Sequence, residues 1–557
     1  MDSMSSKSNF HGSEDARKSE IEIPTIKIHN EEGEEEENSL VAFATGNRNN
    51  QLNVETHEPN SRCNKCCSIV RSFFKPCLRN ENPLPSNPSK LQRFKYGLLC
   101  PPFGRFAKFL AYIILLFLIW CVLWSITKKE ALPGGNFFSI FVLCICCICG
   151  GDLADLLKMP PLLGMLITGC LLRNVPGIKT IGESINQDWS SALRNLALIV
   201  ILTRAGLGLD PVALKKLSFG VIRLAFIPCL VEALTVGVVS HFLLDLPWSW
   251  GFMLGFVLAA VSPAVVVPSL LNLKERGYGI DKGIPTLVIA AASVDDVLAI
   301  TAFGLCVGIA FSEGSFGLLI AKGPLEAFGG VLFGVILGTI LWFIPTATSK
   351  NKHPIRFIFL FGYGILAVFG SKNLDFAGAG ALACLTIPFV AAINWRKDEG
   401  SDKIISEYFA NLWIVFQPLL FGLIGAEIDI TKIKSSTIGL GLAVLAIGLL
   451  FRVIASFLAV LRLGLNTKEK FFIPLAWLPK ATVQAAIGSQ ALDITREKKL
   501  FNSVEEKNGL IILAVAVMVI LVTAPVGAAA ISISGPRLLK KQTDNSEENM
   551  NARDDEI

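Results

Sequence analysis

From about residue 107 to residue 533 the chain alternates long apolar runs with short polar loops, while both ends are polar throughout. A helix of about twenty apolar residues crosses a bilayer, because each residue advances it by about 1.5 Å. On that measure the runs predict spans near 107–126, 137–157, 160–173, 191–209, 217–243, 248–272 and 284–310. Seven more follow near 324–345, 355–370, 375–394, 405–426, 437–462, 471–493 and 509–533. The expected fold is therefore an all-α membrane protein with about 14 transmembrane helices, and the even number puts both termini on one side. Residues 1–105 read as a disordered cytosolic tail, 106–536 as the membrane domain and 537–557 as a short second tail.

Two of the predicted spans are interrupted. The sixth contains Ala260 to Pro268 (AVSPAVVVP), and the thirteenth contains Trp477 to Gly488 (WLPKATVQAAIG). Proline removes a backbone donor and clashes with the preceding turn, so such a break survives in lipid only where protein or a cavity satisfies the freed groups. Proline kinks alone are common in membrane helices; here the breaks occupy corresponding places in two halves. Glu232 lies in the span before the first break and Arg452 in the span before the second. Secondary transporters place their ion site where such paired broken helices meet near the midplane.

Ionisable residues at that depth are costly and mark function by default. The clearest are Asp295 and Asp296, adjacent at the centre of an apolar segment (AAASVDDVLAI, Ala290 to Ile300). Neighbours on a helix point about 100° apart, so one aspartate is free to line a cavity while the other faces a helix interface or a counter-charge. Glu232, Arg452 and Lys480 are the other mid-membrane charges. Arg204 and Arg223 lie close enough to span ends to snorkel, and His241 reads as interfacial.

Composition agrees with this partition. Hydrophobic residues make up 52% of the 557 and charged ones 17%, against roughly a quarter charged in soluble chains. The net charge of +5 says little about partners. Lysines and arginines flank the first and last spans (Arg93, Lys95, Arg105, Lys108; Arg537, Lys540, Lys541) and recur in loops on that side, which favours cytosolic termini. The acidic block Glu31 to Glu37 sits in a tail poor in aromatics and reads as solvated. The first apolar run starts only after about a hundred residues, so the first span is expected to direct insertion itself. Of fourteen cysteines, nine from Cys121 onward fall in apolar segments, where a thiol behaves as a small hydrophobe. Cys63, Cys66, Cys67 and Cys77 lie among basic and aromatic residues; acylation, zinc and plain thiols all remain open for them.

Taken together, RAGLGLD (Arg204 to Asp210), SPAVVVP (Ser262 to Pro268), SVDD (Ser293 to Asp296), FQPLLFGLIGAE (Phe416 to Glu427) and WLPKATVQAAIG resemble one family. They are similar to the sodium/proton antiporters of the second branch of the cation/proton antiporter superfamily, specifically its animal subfamily. The resemblance covers roughly residues 98 to 540. It implies inverted repeats with two crossed broken helices, a six-helix ion-translocating core, a dimerisation domain, and a homodimer working by an elevator-like movement. It implies Asp296 as the principal cation ligand with Asp295 beside it, and Glu232 with Arg452 as a core ion pair. For Lys480 it implies a counter-charge to the first aspartate that can release a proton, which keeps electrogenic exchange open.

The expected cargo is Na⁺ or Li⁺ against H⁺, with no resident cofactor. Hard cations favour oxygen donors, so helix geometry offers Ala260, Val261 and Ser262 in the first break, and Ala292 and Ser293 one turn before Asp296, as supplementary ligands. Asp295, Asp296 and Glu232 carry three negative charges against the two positive ones of Arg452 and Lys480. One sodium or one proton neutralises the remainder, which predicts electroneutral exchange. A cation channel or a sodium-coupled symporter is the alternative within transport. An intramembrane aspartyl protease needs its two aspartates on different helices, and no GxSxG or HExxH string is present. Expected partners are a second copy of the chain and membrane lipid, with no nucleic acid. The plasma membrane is the expected location, with a sperm flagellar or organelle membrane as alternatives.

Overall fold

The computed structural model describes residues 87–99, 105–209, 219–311, 316–346, 348–374, 376–398, 400–432, 434–500 and 503–541. The acidic block and the four tail cysteines lie outside these. The chain divides into two units, Met1–Lys108 and Phe109–Ile557. The first contains helix α1 (Lys90–Leu99), so the expectation of a disordered tail is corrected for that stretch. A capping box starts the helix: the Ser89 N–H donates to Gln92 Oε1 at 3.0 Å and the Gln92 N–H to Ser89 Oγ at 3.2 Å. Those two bonds satisfy donors that a helix start leaves unpaired.

Beyond it, every described regular element is a helix, as lipid demands of a chain that must pair its own backbone groups. The order is α2 (Arg105–Thr127), α3 (Asn136–Leu156), α4 (Pro161–Asn174), α5 (Lys179–Glu183), α6 (Gln187–Gly208), α7 (Phe219–Leu244), α8 (Trp248–Ala259) and α9 (Pro263–Glu275). There follow α10 (Ile284–Ala310), α11 (Phe316–Phe343), α12 (Lys352–Asn373), α13 (Ala377–Trp395) and α14 (Ser401–Glu427). The last are α15 (Ser435–Ala459), α16 (Thr467–Ala476), α17 (Thr482–Gly488), α18 (Gln490–Glu497) and α19 (Val504–Leu538).

Twelve described stretches are long and apolar enough to cross a membrane, against fourteen expected. The two that fall short are instructive. Helix α4 has 14 residues, about 21 Å at the usual rise, and the segment expected at 471–493 is cut into α16, α17 and α18. Hydropathy counts apolar residues and does not see that the second break unwinds the helix into pieces.

Two groups of helices organise the membrane part. In one, α7 packs along α8 and α15, with α10 beside α7 and α8, and α19 against α9, α16 and α17. The order helix, broken helix, helix thus occurs twice, as α7, α8/α9, α10 and as α15, α16/α17, α19. In the other, α4 packs between α3 and α14, and α13 joins α11, α12 and α6. Asp398, between α13 and α14, holds that end together through Lys352 and Arg356, each at 2.9 Å. The hydrogen bond from Lys352, foremost, lowers its carboxyl pKa to about 2.

Small residues let α4 approach α14 at backbone distance. A Cβ on Gly169 would stand 2.1 Å from the Gly422 carbonyl oxygen, and one on Gly425 would stand 2.3 Å from that of Leu166. Contact through small residues is how membrane helices gain packing without a hydrophobic driving force. Gly425→Ala is expected to destabilise the fold by about 1–3 kcal/mol through overpacking. The check is the melting temperature of the purified protein in detergent, which should fall; an unchanged value would mean that the two helices part at no cost.

Candidate ion-binding site

The site is built around two helices that stop in mid-fold. Helix α8 ends at Ala259; Ala260 and Ser262 are extended, and α9 restarts with Pro263. Helix α16 ends at Ala476, and α17 restarts at Thr482 after Leu478, Pro479, Lys480 and Ala481. The two breaks touch. The Ser262 N–H donates to the Pro479 carbonyl at 2.9 Å. The Thr482 N–H donates to Ser262 Oγ at 3.3 Å, and the two hydroxyls lie 3.2 Å apart.

A helix end leaves four carbonyls without intrahelical partners, and in lipid each must be met by protein. At the end of α8 those are the carbonyls of residues 257 to 260. The Gln484 amide donates to Val257 O at 3.0 Å and to Ala260 O at 2.7 Å. Lys480 Nζ donates to Leu258 O, and Arg452 Nη1 to Ala259 O. Arg452 also donates through Nε to Trp477 O at the end of α16, at 3.0 Å. Two cations therefore sit at the negative ends of both interrupted helices, where the aligned peptide dipoles favour positive charge.

The carboxylates complete the cluster. Glu232 on α7 accepts from Arg452 Nη1 and, at 2.8 Å, from Lys480 Nζ. Asp295 on α10 accepts through Oδ2 from the Val261 N–H at 2.8 Å and from Arg452 Nη2 at 3.3 Å. Glu232, Asp295, Arg452 and Lys480 are fully buried, while Asp296 keeps 6% exposure. Oδ1 of Asp295 and Oδ1 of Asp296 are buried without a protein hydrogen-bond partner. The angular separation of neighbours on a helix is thus used in full: Asp295 turns to the breaks and the arginine, and Asp296 turns elsewhere.

All five mid-membrane charges singled out in the sequence sit at or beside this crossing, but the pairing differs in one respect. Lys480 bonds Glu232 rather than the first aspartate, and Arg452 takes the place at Asp295. The reason is reach: Lys480 leaves the break towards the end of α8, where Leu258 O and Glu232 Oε2 both lie within bonding distance. The expected supplementary ligands divide as well. Val261 presents its N–H to Asp295, so the unwound segment meets that carboxylate with a donor. The Ala260 carbonyl accepts from Gln484, the Ser262 hydroxyl meets Thr482, and Ser293 Oγ donates to Ile289 O at 3.3 Å. Ala292 is buried on the same helix.

The description "Sodium/hydrogen exchanger, transmembrane" matches residues 140–533. The chain belongs to the sodium/hydrogen exchanger family. Among similar proteins, the mouse "Sodium/hydrogen exchanger 9B2" is 49% identical over 473 residues, 83% of this chain and 85% of the relative. The human 9B2 is 48% identical over 467 residues, 82% of this chain and 85% of the relative. The human 9B1 is 41% identical over 454 residues, 80% and 87% of the two. Among solved structures, the sodium proton antiporter MjNhaP1 from Methanocaldococcus jannaschii at pH 8 superposes with a TM-score of 0.58. It is 20% identical, covering 72% of this chain and 98% of its own, which is a likeness of fold.

Sequence reasoning missed several residues of this exchanger. Gln484 and Thr482 are polar but uncharged, so the cost of a buried charge could not flag them. A second ionic cluster also escaped it. Arg194 on α6 pairs with Asp493 on α18 at 2.5 Å and with Glu427 on α14 at 3.4 Å, and Arg496 pairs with Glu427. These residues lie at or near the ends of predicted spans, where charge is ordinary; only their convergence makes them notable. His241 bonds the Leu246 carbonyl at 2.7 Å and stacks on Trp248.

Removing Arg452 strands Glu232 and Asp295 with one cation fewer and opens carbonyls at both breaks. Breaking a buried ion pair in this way costs about 3–5 kcal/mol. Arg452→Ala is therefore expected to lower the melting temperature and the yield of monodisperse protein sharply, read by fluorescence-detected gel filtration. A variant as stable as the wild type would show that the pair carries no structural weight.

Proposed function

We propose that the chain is a secondary antiporter that exchanges Na⁺ or Li⁺ for H⁺ by alternating access at Asp295 and Asp296. The observation that carries the reading is the contrast between the two aspartates. Asp295 is anchored through one oxygen by a peptide N–H and an arginine, while Asp296 alone of the five site charges keeps exposure. The two unpaired carboxylate oxygens are hard donors of the kind that a dehydrated alkali cation or a proton competes for. Membership of the sodium/hydrogen exchanger family and the names of the 9B2 and 9B1 relatives support Na⁺ and H⁺ as the exchanged pair.

The exchange is one for one and electroneutral on this reading. Three carboxylates and two cations leave one negative charge, which either cargo cancels. The vacant cluster alone faces the full cost of moving net charge through low dielectric. The group containing both breaks moves as the carrier in an elevator-like step, the other group is the scaffold, and two copies associate in the plasma membrane.

Reconstituted protein with a trapped pH dye tests this directly. Adding outward or inward gradients of Na⁺ or Li⁺ to wild-type proteoliposomes should move protons in the opposite direction, and Asp296→Asn should abolish the signal. Persistence of the signal in Asp296→Asn, or its absence in wild type, would sink the reading. Clamping the membrane potential with K⁺ and valinomycin should leave the rate unchanged; a rate that follows the potential would overturn electroneutrality.

A further inference from the structure

We infer that Gln484 is a positioning residue for the exchange reaction, which holds Asp295 in place through the Ala260–Val261 peptide. This rests on the reading of Asp295 and Asp296 as the exchange site. A trans peptide is a rigid plane whose C=O and N–H point in opposite directions. On one side, Gln484 Nε2 donates to Ala260 O at 2.7 Å. On the other, the Val261 N–H of the same plane donates to Asp295 Oδ2 at 2.8 Å. The side chain on α17 therefore sets the tilt of a plane in the first break, and the plane sets the rotation of a carboxylate on α10.

Three features make the relay specific. Both partners of the Gln484 amide are carbonyls, so only the orientation with Nε2 towards them satisfies the geometry. The second hydrogen goes to Val257 O at 3.0 Å, which stops the amide from following the plane if it swings. The peptide itself lies outside both half-helices, between Ala259 and Pro263, so no ladder of helical bonds fixes it. With Oδ2 held by the Val261 N–H and Arg452, Oδ1 of Asp295 is presented in one direction. Without the amide, the plane and the carboxylate turn together, and the cation meets a looser set of oxygens.

The relay acts on cation affinity rather than on the movement of the carrier, which separates it from mere support of the fold. Gln484→Met keeps length and apolar volume while deleting both donors. In proteoliposomes its KM for Na⁺ is expected to rise about tenfold, the equivalent of one hydrogen bond to a charged group, with the maximal rate per folded protein little changed. Thr523→Val is the control: it deletes the hydroxyl contact with the Lys480 carbonyl at the second break but leaves the Ala260–Val261 peptide bonded, so KM should stay at the wild-type value. Should Gln484→Met not accumulate as folded protein, Gln484→Asn, which keeps the amide one carbon short, should give a smaller rise in KM. An unchanged KM in a folded, active Gln484 variant overturns the inference, as does an equal rise in Thr523→Val. A wild type that moves no protons against Na⁺ overturns the exchange reading instead.

Discussion

An unpaired peptide group has nowhere to turn inside hydrocarbon, and this protein interrupts two helices there. The cost of each unmet carbonyl or N–H is several kcal/mol, so the breaks exist only because other segments meet them. They meet each other first: the Ser262 N–H of the first break bonds the Pro479 carbonyl of the second. Side chains from α15 and α17 and from the second break itself then take the remaining carbonyls of α8. Neither break is stable alone, which is why the fold carries both and why they cross.

Charge enters as the solution to that backbone problem. Arg452 bridges the ends of both first half-helices, and Lys480 caps one of them. Each cation then needs an anion, which Glu232 supplies to both. Only Asp295 and Asp296 are left to carry the surplus negative charge, and the first is bound into the scaffold of the break. Which carboxylate serves the breaks is a consequence of where the helix ends fall. It also explains why arginine, which stays protonated, suits the central position.

A second layer of order lies away from the crossing. The Arg194, Asp493, Glu427 and Arg496 cluster ties α6 and α14 to α18. Close glycine contacts tie α4 to α14 within one group.

How much of this was legible beforehand follows from the physics of each signal. Apolar runs and polar loops determined an all-helical membrane chain, because lipid admits few backbone solutions and their length is set by bilayer thickness. Prolines within two runs marked the breaks, and the cost of buried charge singled out Asp295, Asp296, Glu232, Arg452 and Lys480. Partnership was not legible. That Val261 offers a donor to Asp295 depends on the turn of a break against a helix 34 residues on, and which oxygen faces Lys480 and that neutral Gln484 meets the carbonyls of α8 depend on side chains from segments more than two hundred residues apart. Sequence fixes the kinds of groups that must be satisfied, because the penalty for burying them is local; only the tertiary structure chooses who satisfies them, because that depends on distance and direction across the fold.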